Sequence, residues 1–168
     1  MDERDFQKLY DGSKQQLWSY VMRVSGEPSL ADDILQDTFV RLLQRQGKAL
    51  EESKMKSYLF TIATNLLRDH WRKSKRSRVW LEESALVATS ARTPDSAALR
   101  LDIETAYRQL SPQDRSLTWL AYVEGYEHRE IAKILNLGEK SVKVLLFRAK
   151  GRLIEVFGKL GITSEKYA

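Results

Sequence analysis

Apolar residues recur at spacings of three and four positions along most of this chain, which is the spacing of amphipathic α-helices. The pattern covers residues 6–80, fades over residues 81–97 and returns over residues 99–160. No segment shows the alternation of apolar and polar residues that predicts a half-buried β-strand. We therefore predict an all-α fold of two small helical domains joined by a short flexible linker.

The break in the pattern sets the expected domain bounds. Its sequence, EESALVATSARTPDSA, is small and polar and contains one proline, which is typical of a linker. The last residues, GITSEKYA, have the character of a frayed tail. We place the first domain at residues 1–80, the linker at 81–97, the second domain at 98–160 and the tail at 161–168.

An acidic helix is expected in the first domain, beginning near Ser29 with LADDILQDTFVRLLQ. Its apolar residues should face the core: Ile34, Leu35, Phe39, Leu42 and Leu43. The opposite face carries Asp33, Gln36, Asp37, Val40 and Arg41. Residues 27–40 contain four acids and no Lys or Arg. Such a face is either simply solvated or docks onto a basic protein surface.

A second helix is expected over residues 57–73, SYLFTIATNLLRDHWRK. Its predicted buried stripe consists of Leu59, Ile62, Ala63, Leu66 and Leu67. The largely exposed side carries hydroxyls, an amide, arginines and an indole: Thr61, Thr64, Asn65, Arg68, Trp71 and Arg72. Single-stranded DNA binding needs this mixture, because cations follow the backbone while flat rings stack on unpaired bases. The alternative for Tyr58 and Trp71 is that both rings are core aromatics at a domain edge.

The second domain opens with an apolar stripe over residues 99–110, followed by SPQD. Ser111 is a suitable N-cap, Pro112 fits the first helical position, and Asp114 favours the positive end of a helix. We expect this helix to end at Gly125.

The next segment predicts a helix-turn-helix motif. A short helix at residues 128–135 is followed by the turn NLGE and a second helix at residues 140–153. The second helix buries Val142, Leu146, Ala149 and Leu153. Its outer face carries Lys140, Lys143, Val144, Phe147, Arg148 and Gly151. An ordinary helical hairpin would share the apolar spacing, but the basic outer face favours DNA binding.

The positive charge of the chain is concentrated in one segment. Residues 68–78 hold six basic residues and one acid, and their net charge of +5 equals that of the whole chain. A basic stripe on an otherwise balanced chain predicts a polyanionic partner, with a solvated helix end as the alternative.

Composition argues against several other classes. There is no Cys and there are only two His, so we expect neither a disulfide framework nor a metal site. No run is long and apolar enough to span a membrane, and MDERDFQKLY lacks a hydrophobic signal core; we expect a cytoplasmic protein. A Gly-rich phosphate loop and a nucleophile elbow are both missing from the sequence, so we expect no catalysis, cofactor or small-molecule substrate.

Taken together, the segments resemble the extracytoplasmic-function (ECF) sigma factors of RNA polymerase. ADDILQDTFVRLL at 31–43 resembles the family's helix that binds the polymerase clamp helices. SYLFTIATNLLRDHWRKSKR at 57–76 resembles the segment that melts and reads the minus-ten element, and residues 110–153 resemble the domain that reads the minus-thirty-five element. The resemblance implies a factor that directs promoter-specific initiation. The implied partners are core RNA polymerase (clamp helices and flap), promoter DNA as duplex and single strand, and an anti-sigma factor.

The resemblance also implies roles for particular residues. The polymerase-binding motif is matched by Asp32, Asp33, Gln36, Asp37, Phe39 and Arg41, of which Phe39 reads as structural. Asn65 stands where the family captures a flipped-out promoter base. Arg68, Arg72 and Lys73 would hold phosphates. The recognition-helix region is matched by Lys140, Ser141, Lys143 and Arg148.

The chain departs from the family pattern at three positions. Val144 and Leu145 replace a common Ser-Arg pair, and Glu127 replaces the usual Ser or Thr before the first helix of the motif. Val144 and Phe147 would then touch thymine methyl groups in the major groove or rest on an inhibitor. Capping by Glu127 should be weaker than capping by Ser or Thr.

Two other classes remain as alternatives at this point. A conventional helix-turn-helix regulator would bind duplex DNA tightly by itself, but it does not readily explain the acidic helix. A helical adaptor that binds only protein gives no role to the basic residues 68–78.

Overall fold

The computed structural model describes residues 1–46, 49–74 and 96–162. Over these ranges the chain forms helices and no strands, which confirms the predicted all-α class. The helices are α1 (Glu3–Ser25), α2 (Pro28–Gln44), α3 (Glu52–Lys73), α4 (Ser96–Arg108), α5 (Pro112–Tyr122), α6 (His128–Leu135) and α7 (Glu139–Lys159). The basic residues Lys75, Arg76 and Arg78, the linker up to residue 95, and tail residues 163–168 lie outside the described residues.

The first three helices form a bundle. The Asp2 carboxylate accepts a hydrogen bond of 2.8 Å from the Asp5 backbone N–H and so caps α1. Pro28 begins α2 with Glu27 as its N-cap residue, so the predicted start at Ser29 was slightly late. Because its φ is already helical and its missing N–H is not needed there, proline suits this first position.

The core of the bundle follows the predicted apolar stripes with one exception. Ile34, Phe39 and Leu42 of α2 are buried, as are the five stripe residues of α3. The prediction for Leu43 was wrong, because its side chain is 57% exposed. Leu43 lies at the edge of the stripe in the last turn of α2, where no helix covers it.

In the second half of the chain, α5 begins as predicted. The Asp114 N–H donates to the Ser111 hydroxyl at 3.1 Å, with Pro112 in the first turn. The helix ends at Tyr122, earlier than the predicted end at Gly125. Gly125 instead has a positive φ of 74°, a conformation that suits glycine, in the turn that leads to α6.

The helix-turn-helix is formed by α6 and α7. Asn136 has left-handed φ and ends α6, and the Leu137 N–H donates to the Ala132 carbonyl at 2.9 Å. The Glu130 carboxylate accepts from the Glu127 N–H at 3.2 Å, so the start of α6 has a capping contact that the weak-cap expectation did not include. The second helix continues to Lys159, six residues beyond the predicted end.

The two predicted helical domains pack directly against each other. One continuous cluster of buried side chains joins α1, α2 and α3 to α5, α6 and α7. Leu17 and Tyr20 of the first half and Leu117, Leu120 and Ile131 of the second are all fully buried in it. The two helical domains expected from the sequence are therefore in direct contact with each other.

Candidate functional site

The outer face of α2 presents the predicted acidic surface. The predicted residues on this face are all exposed: Asp32, Asp33, Gln36, Asp37, Val40 and Arg41. Phe39 is buried and packs against the rings of Phe6 and Tyr10, with centroids 5.9 and 4.9 Å away. The interpretation of Phe39 as a structural residue is therefore confirmed. The described part of the chain leaves the acidic face exposed to a partner.

One residue of this surface is held in place by a side chain that sequence reasoning missed. The indole Nε1 of Trp18 donates a hydrogen bond of 2.8 Å to the Asp32 carboxylate. Trp18 lies on α1, and its contact with α2 becomes visible only when the two helices pack together. Asp32 therefore has a fixed orientation relative to the bundle.

The outer face of α3 carries polar and basic groups. Asn65, Arg72 and Lys73 are exposed. The Arg72 guanidinium forms a hydrogen-bonded ion pair with the Asp69 carboxylate one turn earlier. Asn65 and Arg72 lie nearly two turns apart on one side of the helix, so an amide and a cation are available to one extended ligand.

Two residues predicted on this exposed side are buried. Trp71 is only 5% exposed, and Thr64 is fully buried. The prediction of their exposure was wrong, because neighbouring helices cover a second face of α3. The Thr64 hydroxyl lies 2.8 Å from the Tyr20 hydroxyl of α1, and the Phe60 ring on the same face packs against Tyr126. The alternative interpretation of Trp71 as a core aromatic describes this structure, and Tyr58 is likewise partly buried.

Arg68 occupies an intermediate position. It is half-buried, and its Nη2 donates a hydrogen bond of 2.7 Å to the backbone carbonyl of Leu135 at the end of α6. Burial lowers the pKa of the guanidinium. The structure therefore directs this predicted phosphate-binding cation toward protein and away from solvent.

The outer face of α7 is exposed as predicted. Val142, Leu146 and Ala149 are buried on the inner side. The exposed side carries Lys140, Ser141, Lys143, Val144, Phe147 and Arg148. Phe147 is 79% exposed, the highest exposure among the large apolar side chains of the described residues. A ring so exposed beside three cations suits contact with a charged polymer that also presents apolar groups.

The base of this helix is anchored to α5. The Arg152 Nη1 donates to the buried Asp114 carboxylate at 2.6 Å. This ion pair holds α7 against α5, and the outer face of the first three turns of α7 stays exposed. In the described ranges, no cluster of Asp, Glu and His residues could hold a metal ion. No helix in those ranges is long and apolar enough to cross a membrane.

Two family profiles match the chain in the order of these surfaces. Sigma-70 region 2 matches residues 9–77, and Sigma-70, region 4 matches residues 100–153. The ECF RNA polymerase sigma factor SigL of Mycobacterium tuberculosis is 31% identical over 159 residues, with 92% of this chain and 90% of the relative covered. The chain belongs to the ECF sigma factor family.

Other relatives support the assignment of this sigma factor to the family. ECF sigma factor SigM of Bacillus subtilis is 26% identical over 162 residues, covering 94% of this chain and 98% of the relative. The sigma factor RpoE of Bartonella quintana, solved in complex with the anti-sigma factor NepR, has the same fold with a TM-score of 0.65. It is 24% identical, and the match covers 92% of this chain and 98% of that one.

Family membership makes this protein a promoter-specific transcription initiation factor. The region 2 match contains the acidic face of α2 and the polar face of α3. The region 4 match contains the helix-turn-helix. The three exposed surfaces of this sigma factor thus lie within the two parts of the chain that define the family.

Proposed function

We propose that this sigma factor docks on core RNA polymerase through α2, contacts upstream duplex DNA through α7 and holds the melted promoter strand through α3. Residues 1–80 then form the polymerase-binding and minus-ten domain, and residues 98–160 the minus-thirty-five domain. The observation that supports this division is the separation of charge within one chain: an exposed acidic face on α2 and exposed basic faces on α3 and α7.

The acidic face is proposed to bind the polymerase clamp helices. Asp33 and Asp37 lie one turn apart and are exposed, with Gln36 and Val40 on the same side. Complementary charge accelerates association and excludes wrong partners, while an apolar contact such as Val40 adds affinity at the centre of the patch. Asp32, held by Trp18, and Arg41 complete the proposed contact surface.

The polar face of α3 is proposed to hold the separated strand. Asn65 is exposed and presents both a donor and an acceptor, so it can pair with the edge of an extruded base. Arg72 and Lys73 are exposed and suited to neighbouring phosphates. Arg68 joins this surface only if its hydrogen bond to Leu135 breaks, and Trp71 joins it only if the indole leaves the core.

The outer face of α7 is proposed to lie in the major groove upstream. The first turns of a recognition helix contact base edges. Lys140, Lys143 and Arg148 would contact phosphates, with Ser141 near them at the start of the helix. Val144 and Phe147 would contact thymine methyl groups, which are the apolar features of that groove.

Further partners are proposed on family grounds. The minus-thirty-five domain would lie near the polymerase flap, and an anti-sigma factor would hold the protein inactive, as NepR binds the related RpoE. We propose a cytoplasmic and non-catalytic role without a cofactor or small-molecule substrate, since the charged and apolar surfaces described here recognise macromolecules.

In vitro transcription with purified core polymerase and a genomic fragment library tests the proposal. We expect start sites that appear only when the protein is added, downstream of a shared promoter motif. A conventional helix-turn-helix regulator would instead bind specific duplex DNA by itself, and it would not confer promoter selectivity on core enzyme. Absence of any new start site with core polymerase would contradict the proposal.

A further inference from the structure

The Trp18 side chain joins the first helix of this sigma factor to the acidic face of the second. It lies on α1, next to the fully buried Leu17, and its ring packs partly buried against the main core. Packing leaves the ring few orientations, because a rotated indole would lose its contacts with the core. The indole N–H therefore has a fixed direction, and it points at the Asp32 carboxylate of α2.

The hydrogen bond between these two side chains is short and involves a charge. Trp18 Nε1 lies 2.8 Å from Asp32 Oδ1, although 14 positions separate the two residues in the chain. An N–H that donates to an ionised carboxylate forms a stronger hydrogen bond than one that donates to a neutral acceptor. The indole has a single N–H to donate, so it holds one oxygen of Asp32. The second oxygen of this exposed carboxylate is left to accept from a partner.

The turn between α1 and α2 fixes how the two helices meet. Gly26 ends α1 with a φ of 72°, and its N–H donates to the Met22 carbonyl at 2.8 Å. The Glu27 N–H donates to the Ser25 hydroxyl at 3.2 Å, and Pro28 then begins α2. Because the turn is short and its backbone is defined by these contacts, it keeps the indole aligned with the carboxylate.

Asp32 differs in this respect from the other two acids of the face. In the described part of the chain, the side chains of Asp33 and Asp37 form no hydrogen bond or ion pair with another residue. Both side chains can change rotamer, and a partner that binds them must immobilise them at a cost in entropy. Asp32 has already lost much of this freedom in the free protein. Its carboxylate is therefore preorganised for a partner that approaches the acidic face.

We propose that Trp18 is a positioning residue for polymerase binding, which acts by holding the Asp32 carboxylate in the orientation that core RNA polymerase recognises. This inference rests on the proposed function of the acidic face, and it adds α1 to the parts of the chain that determine affinity. Loss of the indole N–H leaves the charge of the face unchanged, so electrostatic steering during association stays the same. The expected signature is faster dissociation at an unchanged association rate.

Two replacements of the indole test the proposal. Trp18→Phe keeps an aromatic ring and removes the donor. Site-specific incorporation of 3-benzothienylalanine at position 18 keeps the shape of the indole and places a sulfur atom, which has no proton to donate, where the N–H was. The matched control is Trp119→Phe, because Trp119 Nε1 also donates to a carboxylate, that of Glu124, at 3.3 Å in the other half of the chain.

Binding of the full-length variants to immobilised core RNA polymerase gives both rate constants. We expect each replacement at position 18 to weaken binding by about fivefold through faster dissociation, with the association rate and its salt dependence as in the wild type. Trp119→Phe should bind core polymerase as the wild type does. Helical circular dichroism and the melting temperature verify the fold of each variant.

A double-mutant cycle separates positioning from a purely structural effect of the ring. Asp32→Ala should weaken binding to core polymerase by at least about fivefold. In that background Trp18→Phe should add less than about twofold, because the carboxylate that the indole positions is gone. A ring that acted only on the fold would instead weaken binding by the same factor in both backgrounds.

The outcomes that overturn the proposal are distinct from a failure of the proposed function. Wild-type affinity of the 3-benzothienylalanine protein, or independent losses in the double variant, would show that Trp18 does not act through Asp32. Wild-type affinity of Asp32→Ala would overturn this inference and also remove Asp32 from the docking surface. A wild-type protein that does not bind core polymerase would refute the proposed function itself, and that result needs no variant.

Discussion

Tyr20 and Ser116 are joined by a hydrogen bond of 3.2 Å between their hydroxyls, although 96 positions separate them in the chain. The Tyr20 hydroxyl also lies 2.8 Å from the Thr64 hydroxyl, and all three residues are fully buried. The network therefore connects α1, α3 and α5 in the interior. Because an unpaired hydroxyl in that interior would be unfavourable, the network specifies how the two halves fit together.

Charge reversal on α2 should separate polymerase binding from folding. We expect D33K/D37K to weaken binding to core RNA polymerase by more than about tenfold, because two contacts become repulsive. The helical circular dichroism and the melting temperature should stay close to the wild-type values, since both side chains are exposed. The variant E51K/E52K makes the same change in charge at exposed positions of the neighbouring loop and helix start, and it should bind normally. Co-purification with core enzyme measures both, and equal binding by the two variants would refute the assignment.

Removal of the Asn65 amide should affect strand opening more than initial binding. Asn65→Ala should leave closed-complex formation within about twofold of wild type, because phosphate contacts dominate that step. Permanganate reactivity of promoter thymines, which reports strand opening, should fall several-fold in this variant. A premelted promoter should restore part of the lost open complex. Gln15→Ala removes an exposed amide from α1 and serves as the control. An equal loss in both steps would argue against base capture.

Thymine methyl groups should be read by the outer face of α7. Replacing thymine by deoxyuridine at contacted positions removes one methyl group, for which we expect a loss of about 0.8 kcal/mol per contact. In the variants Val144→Ala and Phe147→Ala, the difference in binding free energy between the thymine and deoxyuridine templates should be smaller than in the wild type. Lys143→Ala should weaken binding to both templates equally and reduce the dependence on salt. Binding curves that are identical for both templates with the wild-type protein would exclude methyl readout.

Alkaline pH should destabilise the folded structure through its buried phenols. Burial raises the pKa of Tyr20 and of Tyr107, and burial together with the nearby charges of Glu124 and Glu130 raises the pKa of Tyr126 to about 12, above the ordinary value of 10.0. The folded state holds these phenol protons more tightly than the unfolded state does. The contribution of the phenols to the free energy of unfolding is therefore fully present below about pH 10 and is lost as the pH rises toward 12.

Urea unfolding between about pH 9 and about pH 11 measures this effect. The free energy of unfolding should fall with pH, and Tyr126→Phe should reduce the slope. Tyr122→Phe changes an exposed phenol of the same half and should leave the slope as it is. A slope that Tyr126→Phe does not change would contradict the role of this residue.

The buried guanidinium of Arg115 should contribute strongly to stability. It donates to the carbonyls of Tyr107, Arg108 and Val24 at 2.6, 2.9 and 2.8 Å. Burial lowers its pKa to about 10, so the group remains charged at neutral pH. Arg115→Met should lower the free energy of unfolding by about 3 kcal/mol, because three carbonyls lose a donor. Chemical denaturation measures this loss, and Arg108→Met, at an exposed position, should change stability by less than about 0.5 kcal/mol.

The sequence by itself determined the class of fold and most of the candidate surfaces. Helical spacing of apolar residues identified the main helices, and the Ser111-Pro112 start of α5 was predicted to the residue. The outer faces of α2 and α7 were also predicted correctly, because each of these helices buries one apolar stripe and its opposite face stays exposed among the described residues.

Tertiary structure decided what happens on α3. Spacing revealed the stripe that begins with Leu59, but the second stripe, with Phe60, Thr64 and Trp71, mixes polar and aromatic residues and resembles an exposed binding face. Its burial depends on other helices: the Thr64 hydroxyl lies 2.8 Å from the Tyr20 hydroxyl of α1, and the Phe60 ring packs against Tyr20 and Tyr126. The Arg68 hydrogen bond to Leu135 and the Trp18 hydrogen bond to Asp32 likewise depend on tertiary packing. Periodicity reports which residues share a face of one helix, whereas burial also depends on which distant helix covers that face, and local sequence carries no direct record of that partner.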